Sequence, residues 1–186
     1  MAPSHTDRCF LFLQGPHGPF FAQLGRMLRA AGATTWRVGF NKGDEAFWPD
    51  VASYISFADA GSLWPDRIAA LPDEKSATDR DLYADTRPIH AAAIAAARAR
   101  GLTVHVFEEG YLRPYWVTYE RGGANGHSRI MELSVAQMRA ALEGLDLDLP
   151  DAPARWGDMR QHVFYGALYH AFVLLRNAGY AGFRPH

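Results

Sequence analysis

Residues Leu82 to Phe107 read LYADTRPIHAAAIAAARARGLTVHVF, and they decide the fold. The middle of this stretch is a helix by every local rule. Thr86 stands near the N-cap position, Pro88 falls in the first turn, and an alanine-rich body follows. Arg98 and Arg100 sit near the end, and Gly101 stops the helix. LYAD before it is a short strand, and LTVHVF after it is a second one. A strand, a helix and a strand in that order form a crossover unit, which favours a parallel sheet.

Outward from this unit the chain keeps alternating. CFLFL, from Cys9, is a continuous apolar run, as expected of a strand covered on both faces. QGPHGP breaks it. FFAQLGRMLRAAG then shows helical spacing through Phe20, Leu24, Met27 and Leu28, with Gly32 placed to close the helix. TTWRVGF and ASYISF read as strands, and NKGDEAFWPD between them as a loop. PDEKSATDRD is a charged connection. Beyond Thr118, YERGGANGHSR reads as glycine-rich loop and SVAQMRAALEG as a short helix opened by Ser134. LDLDLPDAPAR is a linker, and a long aromatic-rich helix closes the chain. The expectation is an α/β fold: an open, mainly parallel sheet with helices on both faces in residues 1–133, and a helical tail in 134–186.

Composition narrows the function classes. At 186 residues, with 48% hydrophobic and 21% charged residues, the chain is long enough for one domain with a proper core. A net charge of −1 gives no argument for a nucleic-acid partner, which calls for a basic patch or stripe. The single cysteine, Cys9, excludes a disulfide within the chain and points to a reducing compartment. In an apolar strand it reads as a small hydrophobe and not as a nucleophile. The amino terminus lacks the apolar length of a secretory signal, and no segment has the apolar run that spans a bilayer. The expected location is cytoplasmic, or peripheral at most.

In open parallel sheets, ligands bind beyond the carboxyl ends of the strands, and three strands deliver polar clusters there. The first ends in Gln14, Gly15 and His17. This suits an anion or sugar hydroxyls at a helix start, or equally a tight turn with a solvated His17. GPHG is neither a dinucleotide fingerprint nor a P-loop. The LYAD strand ends in Asp85, Arg87 and His90. Asp85 reads as a helix cap paired with Arg87 or as a site carboxylate, and His90 as a site residue or an ordinary core or surface histidine. The LTVHVF strand ends in Glu108, Glu109, Gly110, Tyr111 and Arg113. Its two carboxylates alternate in direction, so at most one enters any given pocket, and the other pairs with Arg113 or caps a loop. Adjacent carboxylates can raise one pKa and make a general acid. No serine elbow, HExxH motif or cysteine pair for zinc is present. His162 and His170 read as core or interfacial histidines. Phe164, Tyr165, Leu168, Tyr169 and Phe172 read as a packing stripe.

FLFLQGPHGPFF, DTRPIH, VFEEGYLRPYWVT and NGHS, taken in order between Cys9 and Ser128, resemble the capsular polysaccharide biosynthesis/export family. That family includes the bacterial β-Kdo transferases that start the glycolipid linker of capsule polysaccharides. The resemblance implies a retaining glycosyltransferase of two-domain GT-B architecture, with this chain as its amino-terminal, Rossmann-like half. It implies CMP-Kdo as donor substrate with no further cofactor and no metal. A lyso-phosphatidylglycerol lipid at the inner membrane would be the acceptor, and capsule synthesis and export proteins the partners. Asp85, Glu108 or Glu109 would then be the catalytic carboxylate. Gly110 would turn the chain at the cleft wall, and Arg113 would face a carboxylate or phosphate bidentately. Two departures stand out: Ala84 occupies a position where the family pattern has glycine, and PDEKSATDRD is more charged than its usual apolar strand. A noncatalytic binding or assembly subunit of the same machinery is the alternative reading.

Overall fold

The structure, a computed structural model, describes residues 7–110, 116–146, 157–176 and 180. Its sheet has six strands: β1 (Cys9–Phe12), β2 (Thr34–Gly39), β3 (Tyr54–Ser56), β4 (Asp79–Tyr83), β5 (Thr103–Glu109) and β6 (Val117–Arg121). Their order is β3-β2-β1-β4-β5-β6. The first five are parallel, and β6 pairs antiparallel with β5, from His105 opposite Arg121 to Glu109 opposite Val117. The helices are α1 (Phe20–Ala30), α2 (Lys42–Ala46), α3 (Trp64–Lys75), α4 (Pro88–Ala99), α5 (Val135–Leu142) and α6 (Arg160–Arg176). This is the α/β, Rossmann-like architecture that the alternation implies, with β4–α4–β5 as its crossover unit.

Strand alternation divides the core in two. Leu11, Leu13, Val38, Leu82, Val104 and Val106 face α3 and α4, packing on Ile68, Leu71, Ala93, Ile94 and Ala97. Phe10, Phe12, Tyr83 and Phe107 face the other way and meet Phe21 of α1 and Trp48. Cys9 is buried, its thiol donates to the Lys75 carbonyl at 3.3 Å, and burial pushes its pKa up to about 11. That is a packing thiol, not a nucleophile.

Five local readings are corrected. The charged connection 72–81 ends in strand: β4 starts at Asp79, and all five of its residues are buried. α3 runs into the same segment, its Trp64, Ile68 and Leu71 recurring at helical spacing and all buried. The loop at 41–50 contains α2, because the Asn41 side chain accepts from the Asp44 amide at 2.9 Å and caps one turn. The glycine-rich loop begins three residues late, since Tyr119–Arg121 belong to edge strand β6. Thr86 does not cap α4. Arg87 holds that position, without a side-chain cap. Phe164 of the expected packing stripe points outward, 60% exposed, whereas Tyr169 is buried.

At the end of β4, Ala84 adopts φ +65, a left-handed conformation that costs a residue with a Cβ about 1–2 kcal/mol. Glycine there removes that cost and adds about 0.5–1 kcal/mol of unfolded-state entropy. Ala84→Gly is therefore expected to stabilise the fold by about 0.5–1 kcal/mol, read as a higher denaturation midpoint. A lower midpoint would show that the Ala84 methyl contributes packing that outweighs its backbone strain.

Candidate functional site

The strand order reverses between β1 and β4, so the loops leaving these two strands part and open a crevice. Gln14 and Arg87 bridge it. The Arg87 guanidinium donates to Gln14 Oε1 at 2.8 Å, and Gln14 Nε2 donates to the Tyr169 hydroxyl at 3.1 Å. Asn41 also donates to that hydroxyl, at 2.7 Å, and Tyr169 in turn donates to Asp44, which is wholly buried against Arg37. Through this polar network α6 is anchored over the carboxyl edge of the sheet. Gly15 is required in the same loop, because a Cβ there would lie 2.5 Å from the Phe21 ring.

His17 stacks on Tyr169 at 4.3 Å and meets His170 edge-on at 4.9 Å. Its pKa is held below the usual value, first by packing out of water and then by the charges of His170 and Arg87. Beside it lies a cavity of about 270 Å³, walled by His17, Phe20, Glu109, Trp116, His162 and Tyr165. The Trp116 indole N–H is buried without a partner among the described residues. His162 was expected in a core or interface. Instead it is exposed on the cavity wall, on the same helix face as Tyr165 and Tyr169. Histidine and tyrosine at that helical spacing were the signal for it.

Asp85 is 3% exposed, and it caps nothing. Its Oδ2 accepts from the Ala124 amide at 2.9 Å and from His127 Nδ1 at 3.1 Å, and its Oδ1 is buried without a partner among the described residues. No ion pair joins it to Arg87. Glu108 and Glu109 part as strand alternation requires: Glu109 lines the cavity on the α1 face, and Glu108 lies with Asp85 on the opposite face. The Glu108 carboxyl is raised above its usual range, first by burial and then by the charge of Asp85. Asp85 therefore neighbours Glu108 and not Glu109. His127 had no local signal beyond the NGHS stretch. Gly110 donates to the Trp116 carbonyl at 2.9 Å, and a Cβ on it would come within 2.5 Å of that oxygen. Tyr111 and Arg113 lie outside the described residues. Among the described residues, no three histidine, cysteine or acidic side chains gather as a metal site, and no helix is long and apolar enough to cross a membrane.

Residues 81–137 carry Asp85, Arg87, His90, both glutamates and His127, and they match the family model described as capsule polysaccharide biosynthesis protein. Over these residues the chain belongs to the capsule polysaccharide biosynthesis family. It is 35% identical over 125 residues to the capsule polysaccharide export protein KpsS of Escherichia coli, an alignment covering 67% of this chain and 32% of that protein. It is also 35% identical over 119 residues to the capsule polysaccharide modification protein LipB of Neisseria meningitidis serogroup A, covering 63% of this chain and 28% of that protein. LipB of the serogroup B strain matches equally. The aligned part of the chain spans about a third or less of the length of these curated relatives.

His90 is a support, not a contact residue. It is wholly buried, its Nδ1–H donates to the Ala84 carbonyl at 2.5 Å, and burial lowers its pKa from 6.5 to about 4. The unfolded chain therefore binds the extra proton between about pH 6.5 and 4, and the fold does not. The His90 contribution is full above pH 6.5 and is lost as pH falls through that window. Replacing it by glutamine keeps a donor for Ala84 and removes the titration, while the carboxylates titrate alike in both proteins. On going from pH 7.5 to 4.5, wild type should lose on the order of 2 kcal/mol more stability than His90→Gln. Parallel stability curves from denaturant titration would refute this.

Proposed function

We propose that this chain builds capsule polysaccharide as the sugar-handling part of a glycosyltransferase, residues 1–133 forming the active wall and 134–186 a helical tail. The observation that carries this reading is the cavity at the strand switch. Its lining combines a carboxylate, Glu109, with His17 and His162 and with the aromatic side chains of Phe20, Trp116 and Tyr165. Aromatic faces hold a sugar ring, a carboxylate takes its hydroxyls, and histidines beside Arg87 favour an anionic group. An acidic sugar offers all three. On the family likeness, the donor is CMP-Kdo and the acceptor a lipid-linked glycan primer such as lyso-phosphatidylglycerol. The work is then done at the cytoplasmic face of the inner membrane, in company with capsule synthesis and export proteins. A GT-B arrangement, with a second domain closing the cleft, would exclude water from the donor.

A second reading has its own support. Val163, Leu174 and Leu175 of α6 are between 63% and 83% exposed, which suits a surface that meets a partner. In that case the protein assembles the machinery without catalysing transfer.

One experiment separates the two: incubation of CMP-Kdo and lyso-phosphatidylglycerol with the protein that carries this chain, together with any further domain its reading frame encodes. Transfer of Kdo to the lipid is expected. Glu109→Gln should lower it by ~10²–10⁴-fold with an unchanged melting temperature, because the amide keeps volume and removes charge. Transfer that is absent from wild type sinks the enzyme reading, and undiminished transfer by Glu109→Gln removes Glu109 from the chemistry.

A further inference from the structure

Asp85 and His127 meet across the carboxyl edge, 42 residues apart in sequence. The carboxylate is 2% exposed at its side chain and the imidazole 63% exposed. An ionised carboxylate can only accept, so with Asp85 charged Nδ1 carries the hydrogen. Committing Nδ1 inward turns Nε2 toward solvent as the free base of the ring. We propose that His127 takes the proton of the attacking acceptor hydroxyl, and that Asp85 is its positioning residue. The proposal rests on the glycosyl-transfer reading and deepens it.

The loop around the pair is shaped for this contact. Gly122 at φ +88 and Asn125 at φ +50 turn it tightly, and Ala124 is fully buried beneath it. A Cβ on Gly123 would lie 2.5 Å from the His127 carbonyl oxygen, so no side chain fits under the histidine. Ser128 donates to Glu120 at 2.5 Å and ties the far end of the loop to β6. Clasping the loop needs only the Ala124 amide. The further bond from Asp85 goes to a side chain that is otherwise in water. Among the described residues, Glu108 is a charged group beside Asp85, and Arg87 acts on Glu108 as well. A buried carboxylate behind an imidazole fixes its tautomer and stabilises the imidazolium that forms on proton transfer.

The step balances. The acceptor O–H bond breaks, its proton goes to His127 Nε2, and the oxygen's electron pair forms the bond to the sugar's anomeric carbon. For the retaining outcome the oxygen arrives on the face from which the leaving group departs. The bond from that carbon to the leaving group breaks with its electron pair on the leaving group, and His127 later returns its proton to water.

Two measurements test this. In ¹⁵N-histidine-labelled protein, long-range ¹H–¹⁵N correlation should show neutral His127 as the Nδ1–H tautomer, with Asp85→Asn shifting population to Nε2–H. An Nε2–H tautomer in the unmodified protein overturns the pair. In the transfer assay, His127→Ala should lose ~10²–10⁴-fold in kcat with little change in acceptor KM. It should also lose the acidic limb of the pH profile and regain rate with added imidazole. Transfer at the wild-type rate by His127→Ala, or a lost rate that imidazole does not restore alongside a lowered melting temperature, overturns the proposal while leaving glycosyl transfer standing. Absence of transfer by the unmodified protein overturns both.

Discussion

A central strand with three consecutive charged residues can exist here only because Asp79 is neutralised inside the sheet. Burial alone would raise its carboxyl, but hydrogen bonds from His105, Arg8 and Thr78 outweigh burial and hold it well below the usual carboxylate range. The Arg8 guanidinium contacts both of its oxygens, His105 Nε2 lies 2.7 Å from Oδ1, and Tyr119 of the edge strand holds the other nitrogen of that ring at 2.7 Å. One carboxylate thus ties together the approach to β1, the start of β4, β5 and β6. Two residues on, Asp81 solves the same problem differently: burial first, and then the charge of Asp79, raise its carboxyl well above the usual range. Arg80, on the opposite face, is wholly buried with its guanidinium nitrogens unpartnered among the described residues, and burial lowers its pKa to about 10. Such a strand gives up stability that an apolar one would keep. Its retention fits a strand whose value lies in what it delivers at its far end.

That far end is the left-handed turn at Ala84. The Ala84 amide still donates to the Phe107 carbonyl, so pairing with β5 continues up to the turn, while its own carbonyl is held by His90 from the first turn of α4. The turn is fixed from both sides, and Asp85 is thereby carried inward under the 122–128 loop when it would otherwise cap α4. Strain at Ala84, a buried neutral histidine and a buried carboxylate are three costs at one point. On the glycosyl-transfer reading, these costs at the carboxyl edge of a parallel sheet are borne for the site they build.

The sequence made the fold legible wherever short-range pattern and long-range context agreed. β1, α1, β2, α4 and β5 announce themselves through apolar runs, alanine-rich helical spacing and glycine stops. β4 did not, since what makes Asp79 tolerable lies 71 and 26 residues away in Arg8 and His105. α3 was hidden by Pro65, Pro72 and its acidic last turns, although prolines at the start and in the final turn leave most of a helix intact. β6 is a half-exposed edge strand whose Val-Thr-Tyr-Glu-Arg pattern is too short to stand out from the loop that follows it. In the site, the parting of Glu108 from Glu109 followed directly from strand alternation. The seat of Asp85 did not, because it depends on a backbone turn at an alanine, and its partner His127 comes from a loop beyond an entire further strand.

The two faces of β5 therefore carry different chemistry to one edge. Glu109 stands with the aromatic and histidine-lined cavity on the α1 face, and Glu108 with Asp85 and His127 on the α4 face. Gln14 and Arg87 bridge the crevice between β1 and β4, and their hydrogen bond also links α4 to Tyr169 of α6 through Gln14. At the tip of β5, between these two faces, Gly110 is buried. There the backbone passes within hydrogen-bonding distance of Trp116, and a Cβ would collide with the Trp116 carbonyl. On the glycosyl-transfer reading, the cavity would take the sugar and the imidazole the acceptor hydroxyl, two groups that strand alternation keeps on opposite faces of one sheet edge.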